Sequence, residues 1–389
     1  MQTFSDYAAS KGYSTVRWED IPSLSEPIYN FYFQFSHALS VGRRDGNPMI
    51  LDVHVVDETG FGAFAGTYAE ADAIVLYRDV PLLILKLARA LISQGIILPD
   101  IRSDDVDLTP IIVPGSLNDF LGAVNVWDVP PLADSKREFL ALKLAEYANL
   151  FIMAHEFAHI FNGHTSYVNR TMGISTIVEL DSDITQTAGN YDRETLEWDA
   201  DSFAQEHILK RAIESTDYLV DGRSALLIPE TNQIGSLNDA IAIAFFSSAI
   251  CSLFFSVNSY QSASDPTPKV HPHPAFRAAG AAAMIAQTLA FRTGGTEEQF
   301  QDILHSSIEQ FLMTVKATFA TPGEPKWAAN VAQIGDPEVF GHALAQRTEI
   351  WSETWSRIHS ELNEAKRGPM IPLATPARHP AFPDNDRLG

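Results

Sequence analysis

The sequence predicts an α+β fold, mainly helical with a small mixed sheet, and three observations carry that expectation. Runs rich in β-branched and aromatic residues fall in one stretch, "MILDVHVVD" (49–57) and "FGAFAGTYAEADAIVLYRDV" (61–80), separated by polar turns as strands are. Apolar residues at helical spacing fill most of the remaining chain, beginning with "PLLILKLARALISQ" (81–94), which carries Pro81 in its first turn. The helix that ends at Gly163 is apolar nearly all round, as a helix buried on most sides must be.

The 389 residues are 46% apolar and 20% charged, a composition that folds rather than stays disordered. The formal net charge of −22 repels nucleic acid and anionic membrane, and no Lys/Arg cluster offsets it. The single cysteine, Cys251, excludes an intramolecular disulfide and a cysteine-based zinc knuckle, and it reads as a small core residue. The first twenty residues contain no apolar signal segment, so a cytoplasmic protein is expected. "AIAIAFFSSAICSLFFSV" (240–257) is long enough to cross a bilayer, but it lacks close basic flanks. It reads as a core helix, and a membrane partner is not expected.

Taken in order, residues 1–48 are mixed and are expected on the outside of the domain. Strands over 49–80 and the helix 81–94 follow, then a loop with Pro110 and Pro114 leading to Ser116. Ser135 and Glu138 have the spacing of a capping box at the start of the long apolar helix, and Gly163 supplies its stop. Residues 165–191 are polar and read as irregular. A second helix is expected from near Asp192 through "RETLEWDADSFAQEHILKRAIE". After the helix 237–257 come a Pro-rich link, "SASDPTPKVHPHP", and helices near 275–291, 296–319 and 336–366. Residues 1–366 are read as one domain and 367–389 as a Pro-rich tail.

The long helix carries the chemistry. His155 and His159 are four residues apart and project from one face, with Glu156 beside the first. H-E-x-x-H on a helix is the arrangement in which two neutral imidazoles bind zinc and the glutamate takes a proton from water. Two uncompensated imidazoles and a carboxylate in a buried helix would otherwise cost several kcal/mol. His164 is five residues beyond His159, which turns it away from the metal face, so it is read as a helix C-terminal cap rather than a ligand. The third ligand is sought in "ETLEWDADSFA". Glu197 and Asp201 are four apart on one side of that helix, next to an apolar stripe, where two carboxylates need a cation or donors. Glu197 is the expected ligand of one Zn²⁺ per chain, with Glu194 one turn earlier as the fallback. Asp201 is expected to accept the N–H of a ligating histidine. Asp199, Ser202 and Glu206 fall on the other side, where solvent can meet them.

These motifs resemble the gluzincin metallopeptidases. "HEFAH" followed by "EWDADSFA" is similar to the HExxH and E-x-x-A-D motifs of the CAAX-prenyl protease and HtpX family. "GAFAGTYAEADAIVLY" (62–77) resembles that family's N-A-F-A…I-V segment with Gly62 in place of the Asn, and "HPHPAFR" (271–277) its H-P-x-x-x-x-R motif. The family's membrane helices have no counterpart, so the soluble ImmA/IrrE-type peptidases are similar too, and the phage-exclusion Lit peptidase on the zinc motif alone. The resemblance implies a zincin-like fold and an endopeptidase acting on a protein or peptide substrate. It implies an edge strand at Ala63, Phe64 and Ala65 that holds substrate. It also implies His271 (or His273) as an oxyanion donor and Arg277 as a residue orienting a carboxylate. The competing expectation is a non-catalytic, metal-stabilised regulatory or sensor module. An intact Glu156 speaks against it, because a structural site needs no base.

Overall fold

Helix α1 (Phe4–Lys11) is fixed at its start by Thr3, whose hydroxyl accepts the Asp6 N–H, and at its end by Gly12 at φ 75°. The structure is a computed structural model, and it describes residues 2–44, 46–103, 106, 108–113, 129–173, 176–178, 187–220, 237–255, 274–319 and 337–367. After β1 (Thr15–Val16), α2 (Pro22–Val41) leads to a short ribbon of β2 (Arg43–Arg44) and β3 (Asn47–Pro48). Residues 1–48 do not simply coat the outside as expected. Leu24, Ile28, Phe31 and Phe35 recur at helical spacing on α2 and are buried in the main core.

The β-rich stretch gives β4 (Leu51–Val56), β5 (Ala63–Thr67) and β6 (Asp72–Tyr77). With β7 (Thr176–Val178), they form a mixed sheet in the order β1–β4–β6–β5–β7. Only β4 and β6 run parallel; the other pairs are antiparallel. The expectation of an edge strand at Ala63–Ala65 is therefore corrected. β5 is an interior strand, bonded to β6 along one side and, at Phe64, Ala65 and Gly66, to β7 along the other. Ala63, Phe64 and Ala65 are all buried. The pairing was hidden because β7 comes from the polar stretch read as irregular.

Helix α3 (Val80–Ser93) crosses to α4 (Ser135–Phe161), the 27-residue helix at the centre of the molecule. Its N-cap is Asp134, which accepts the N–H groups of Lys136 and Arg137. The capping-box reading of Ser135 is displaced by one residue, and Glu138 turns outward to Arg89 and the Leu132 N–H. Arg137 is fully buried and donates to carbonyls at Ile92, Ile97 and Leu98, closing the end of α3. Burial depresses its guanidinium to about 10, against the pull of Asp134.

Beyond Gly163 lies α5 (His164–Met172), then β7 and α6 (Thr187–Val220), which begins before the expected Asp192. The later helices are α7 (Leu237–Phe255), α8 (Pro274–Thr293), α9 (Glu298–Thr318) and α10 (Pro337–Ala365). α4 packs on α2, α3, α5, α6, α7 and β5, so its apolar circumference is consumed from every side. Among the described residues α7 is the helix long and apolar enough to cross a membrane, and 83% of its Leu237–Phe254 window is buried inside the protein. The Pro-rich link up to residue 273 and the Pro-rich tail beyond Arg367 lie outside the described residues.

One half-buried histidine offers a test of this packing. His207 on α6 lies between the rings of Phe35 and Phe203, with centroids 4.6 and 4.5 Å away. Burial, then Lys210 and Arg292, depress its imidazole to about 3. The unfolded chain takes up this proton near the ordinary imidazole value and the folded chain does not, so the ring costs nothing at neutral pH and penalises folding as pH falls. Between pH 7 and pH 5 the wild type should lose about 2 kcal/mol more than His207→Leu in denaturant titrations. Equal losses would show that the ring is not held neutral.

Candidate metal centre

The centre forms where the last turns of α4 meet the middle of α6. Residues four apart on α4 bring the His155 and His159 rings together, with Nε2 atoms 3.0 Å apart. Glu197 on α6 faces both, its carboxylate oxygens 3.3 Å from His155 Nε2 and 3.5 Å from His159 Nε2. All three side chains, and that of Glu156, are buried. One ligand atom from each of His155, His159 and Glu197 lies within 4.8 Å of the others, so this group could hold a metal ion.

The donor set fits such an ion. Donors roughly 2.0–2.1 Å from a tetrahedral zinc stand about 3.3 Å apart, the spacing seen here. His155 Nδ1 lies 2.9 Å from Asp201 Oδ1 and, against a carboxylate, carries the hydrogen. Its Nε2 then presents a lone pair toward His159 and the Glu197 carboxylate. Lone pairs converging out of water are stabilised by a cation placed among them.

Asp201 is anchored from behind. Arg277, on the first turns of α8, donates Nε–H to Oδ2 at 2.7 Å and Nη2–H to Oδ1 at 2.5 Å. Burial pushes the Asp201 carboxyl up, but Arg277 and then His155 outweigh it and hold the group below the ordinary carboxylate value. Arg277 orients a carboxylate, and that carboxylate belongs to the protein. It lies behind His155. The approach of α8 to α6 depends on Gly280, where a Cβ would collide with the Trp198 ring. His271 and His273 lie outside the described residues.

His164 and Asp199 differ from expectation. His164 does not cap the end of α4. Gly163 adopts φ 86° and ends the helix, and a Cβ there would come within 2.9 Å of Ala365. His164 then opens α5, fully buried, with Nδ1 3.0 Å from His159 Nδ1 and Nε2 2.9 Å from Asp199 Oδ2. Asp199 is therefore buried, not solvated, and Ser202 with it; Glu206 alone of that group is exposed. The His159 imidazole lies well below its ordinary value, first through burial, with Glu197 opposing and His155, His164 and Arg193 adding to the depression. A neutral ring is the form a metal requires.

Glu194, the fallback ligand, is turned to α10, where Arg347 donates to it at 3.1 Å in a buried pair. Asp192 accepts the Tyr167 hydroxyl at 2.7 Å and is paired with Arg357 of α10. Sequence reading missed these basic partners, which lie more than a hundred residues away. The available signal was an excess of acids over cations on this part of α6, where Arg193 is the one basic residue among Asp192, Glu194, Glu197, Asp199 and Asp201. It called for distant arginines but could not choose among them.

Residues 122–289 match the family model described as Peptidase U49. This stretch contains His155, Glu156, His159, Glu197, Asp201 and Arg277, and it ends before α9 and α10 begin. No curated protein and no solved structure matches the chain. Together, the match and the buried His–His–Glu group support a metallopeptidase-like protein.

Proposed function

We propose that the protein is a zinc-dependent endopeptidase of the gluzincin type, acting on a protein or peptide substrate. The observation that carries this reading is the convergence of His155, His159 and Glu197 at ligand spacing, with Glu156 next to the first histidine and outside the donor group. Three protein donors leave one corner of a tetrahedral site for water, whereas a purely structural site is closed by a fourth. Among the described residues no fourth metal donor joins the group. That favours an enzyme over a metal-stabilised module.

His155, His159 and Glu197 would hold the ion, whose chemistry is to lower the pKa of water toward neutrality and to polarise a carbonyl. Glu156 then has the proton work. Its carboxylate takes the proton of the attacking water and delivers it to the leaving amine nitrogen. Asp201 and Arg277 keep the His155 ring in place while this happens. Both sides of β5 are engaged, so a substrate strand pairing with this sheet would add beyond β7.

Two outcomes test the reading. Purified protein should carry one zinc per chain, and a chelator should lower its melting temperature reversibly, because an ion bound only to the folded state stabilises it. The chelator effect should vanish in Glu197→Ala, whereas coincident melting of wild-type protein with and without metal would remove the site. Glu156→Gln should retain zinc and lose at least about 100-fold in the rate at which new termini appear in a peptide library read by mass spectrometry. Cleavage at the wild-type rate would withdraw the proton-transfer role.

A further inference from the structure

Behind His159 stands a line of buried polar groups that the proposed peptide hydrolysis does not use. His159 Nδ1 is 3.0 Å from His164 Nδ1, and His164 Nε2 is 2.9 Å from Asp199 Oδ2. The same oxygen accepts the Asn162 Nδ2–H at 2.8 Å. His159, His164 and Asn162 are fully buried and Asp199 is 1% exposed, so each group depends on its neighbours in the line.

The far end of the line sets the hydrogens. An ionised carboxylate only accepts, so His164 Nε2 carries a hydrogen. With a single N–H on the His164 ring, its Nδ1 is a lone pair. The Nδ1 of His159 must then be the donor, and its Nε2 is left bare on the side facing His155 and Glu197. His155 reaches the same state through Asp201 directly. The two ligand rings thus have separate anchors.

We propose that His164, backed by Asp199, is a positioning residue that locks His159 in the tautomer whose Nε2 can bind a metal. The proposal rests on the reading of His155, His159 and Glu197 as a zinc site. The chain makes a specific accommodation for it. Five residues along an unbroken helix would carry His164 to another face, and the left-handed Gly163 turns it back onto His159. Burying an imidazole and a carboxylate where apolar side chains would pack is weak support for stability alone, which leaves orientation of His159 as the gain.

The test uses the full chain in two measurements. In metal-free wild-type protein with ¹⁵N-labelled histidine, the ring couplings should report Nδ1–H for His159 and Nε2–H for His164. Finding His159 as Nε2–H would overturn the proposal, whether or not the protein binds zinc. Zinc affinity, measured by competition with a chromophoric chelator, should fall about 10–100-fold in His164→Phe, which keeps ring volume and removes the acceptor. His164→Gln retains an acceptor and a donor and should recover most of that loss. Wild-type affinity in a folded His164→Phe variant would overturn the proposal. Absence of zinc binding in the wild type would instead sink the metal reading, leaving the tautomer measurement to decide the lock. Should His164→Phe fail to fold, the Gln variant and the wild-type spectrum still decide.

Discussion

Burying acids without leaving them unpaired is the constraint that organises this molecule. α6 carries Asp192, Glu194, Glu197, Asp199 and Asp201 within ten residues, and of these Asp201, at an intermediate exposure, comes nearest to water. Each is met by a partner from another element. Arg357 meets Asp192, Arg347 meets Glu194, His164 meets Asp199 and Arg277 meets Asp201. Glu197 is met by the two imidazoles of α4. An ionised carboxylate out of water is tolerable only with such partners. The positions of α4, α5, α8 and α10 around α6 follow from that requirement as much as from apolar packing.

α10 shows how far this neutralisation extends. Besides its two arginines, it stacks Trp351 on Trp198 with centroids 3.8 Å apart, and its last turn covers Gly163. Just beyond it, Arg367 donates its N–H to Phe161 O at 2.9 Å and its guanidinium to Asp72 at 3.2 Å, tying the end of α4 to the sheet. α10 lies outside the segment that matches the peptidase family, yet it pairs with α6 at Glu194, one turn before the candidate ligand Glu197. Its contribution is to brace the helix that carries Glu197.

Much of the centre was legible because it is written in local periodicity. Spacing of four places His155 with His159, and Glu197 with Asp201, on single helical faces whatever the tertiary fold. The errors arose where a partner lies far away in sequence. β7 is three β-branched residues, Thr176–Val178, set in a mostly polar stretch, and they gain strand identity by pairing with β5. His164 was projected along a continuing helix, whereas the glycine read as a stop also redirects the chain. Asp199 was assigned to solvent because a helical wheel cannot show that a second helix covers that side. Arg277 was read by analogy as orienting a carboxylate, and only the structure shows that this carboxylate is Asp201.

The sequence by itself determined which side chains can act together along one helix: the HExxH face, the paired acids of α6 and the halt at Gly163. These depend on bond geometry and a fixed rise per residue. Only the tertiary structure decided which acids are paired by which cations, which strand lies at the edge of the sheet, and that His159 has a second histidine at its back. Those contacts join residues as far apart as Asp72 and Arg367, where no short-range rule constrains the choice and packing of the whole chain selects it.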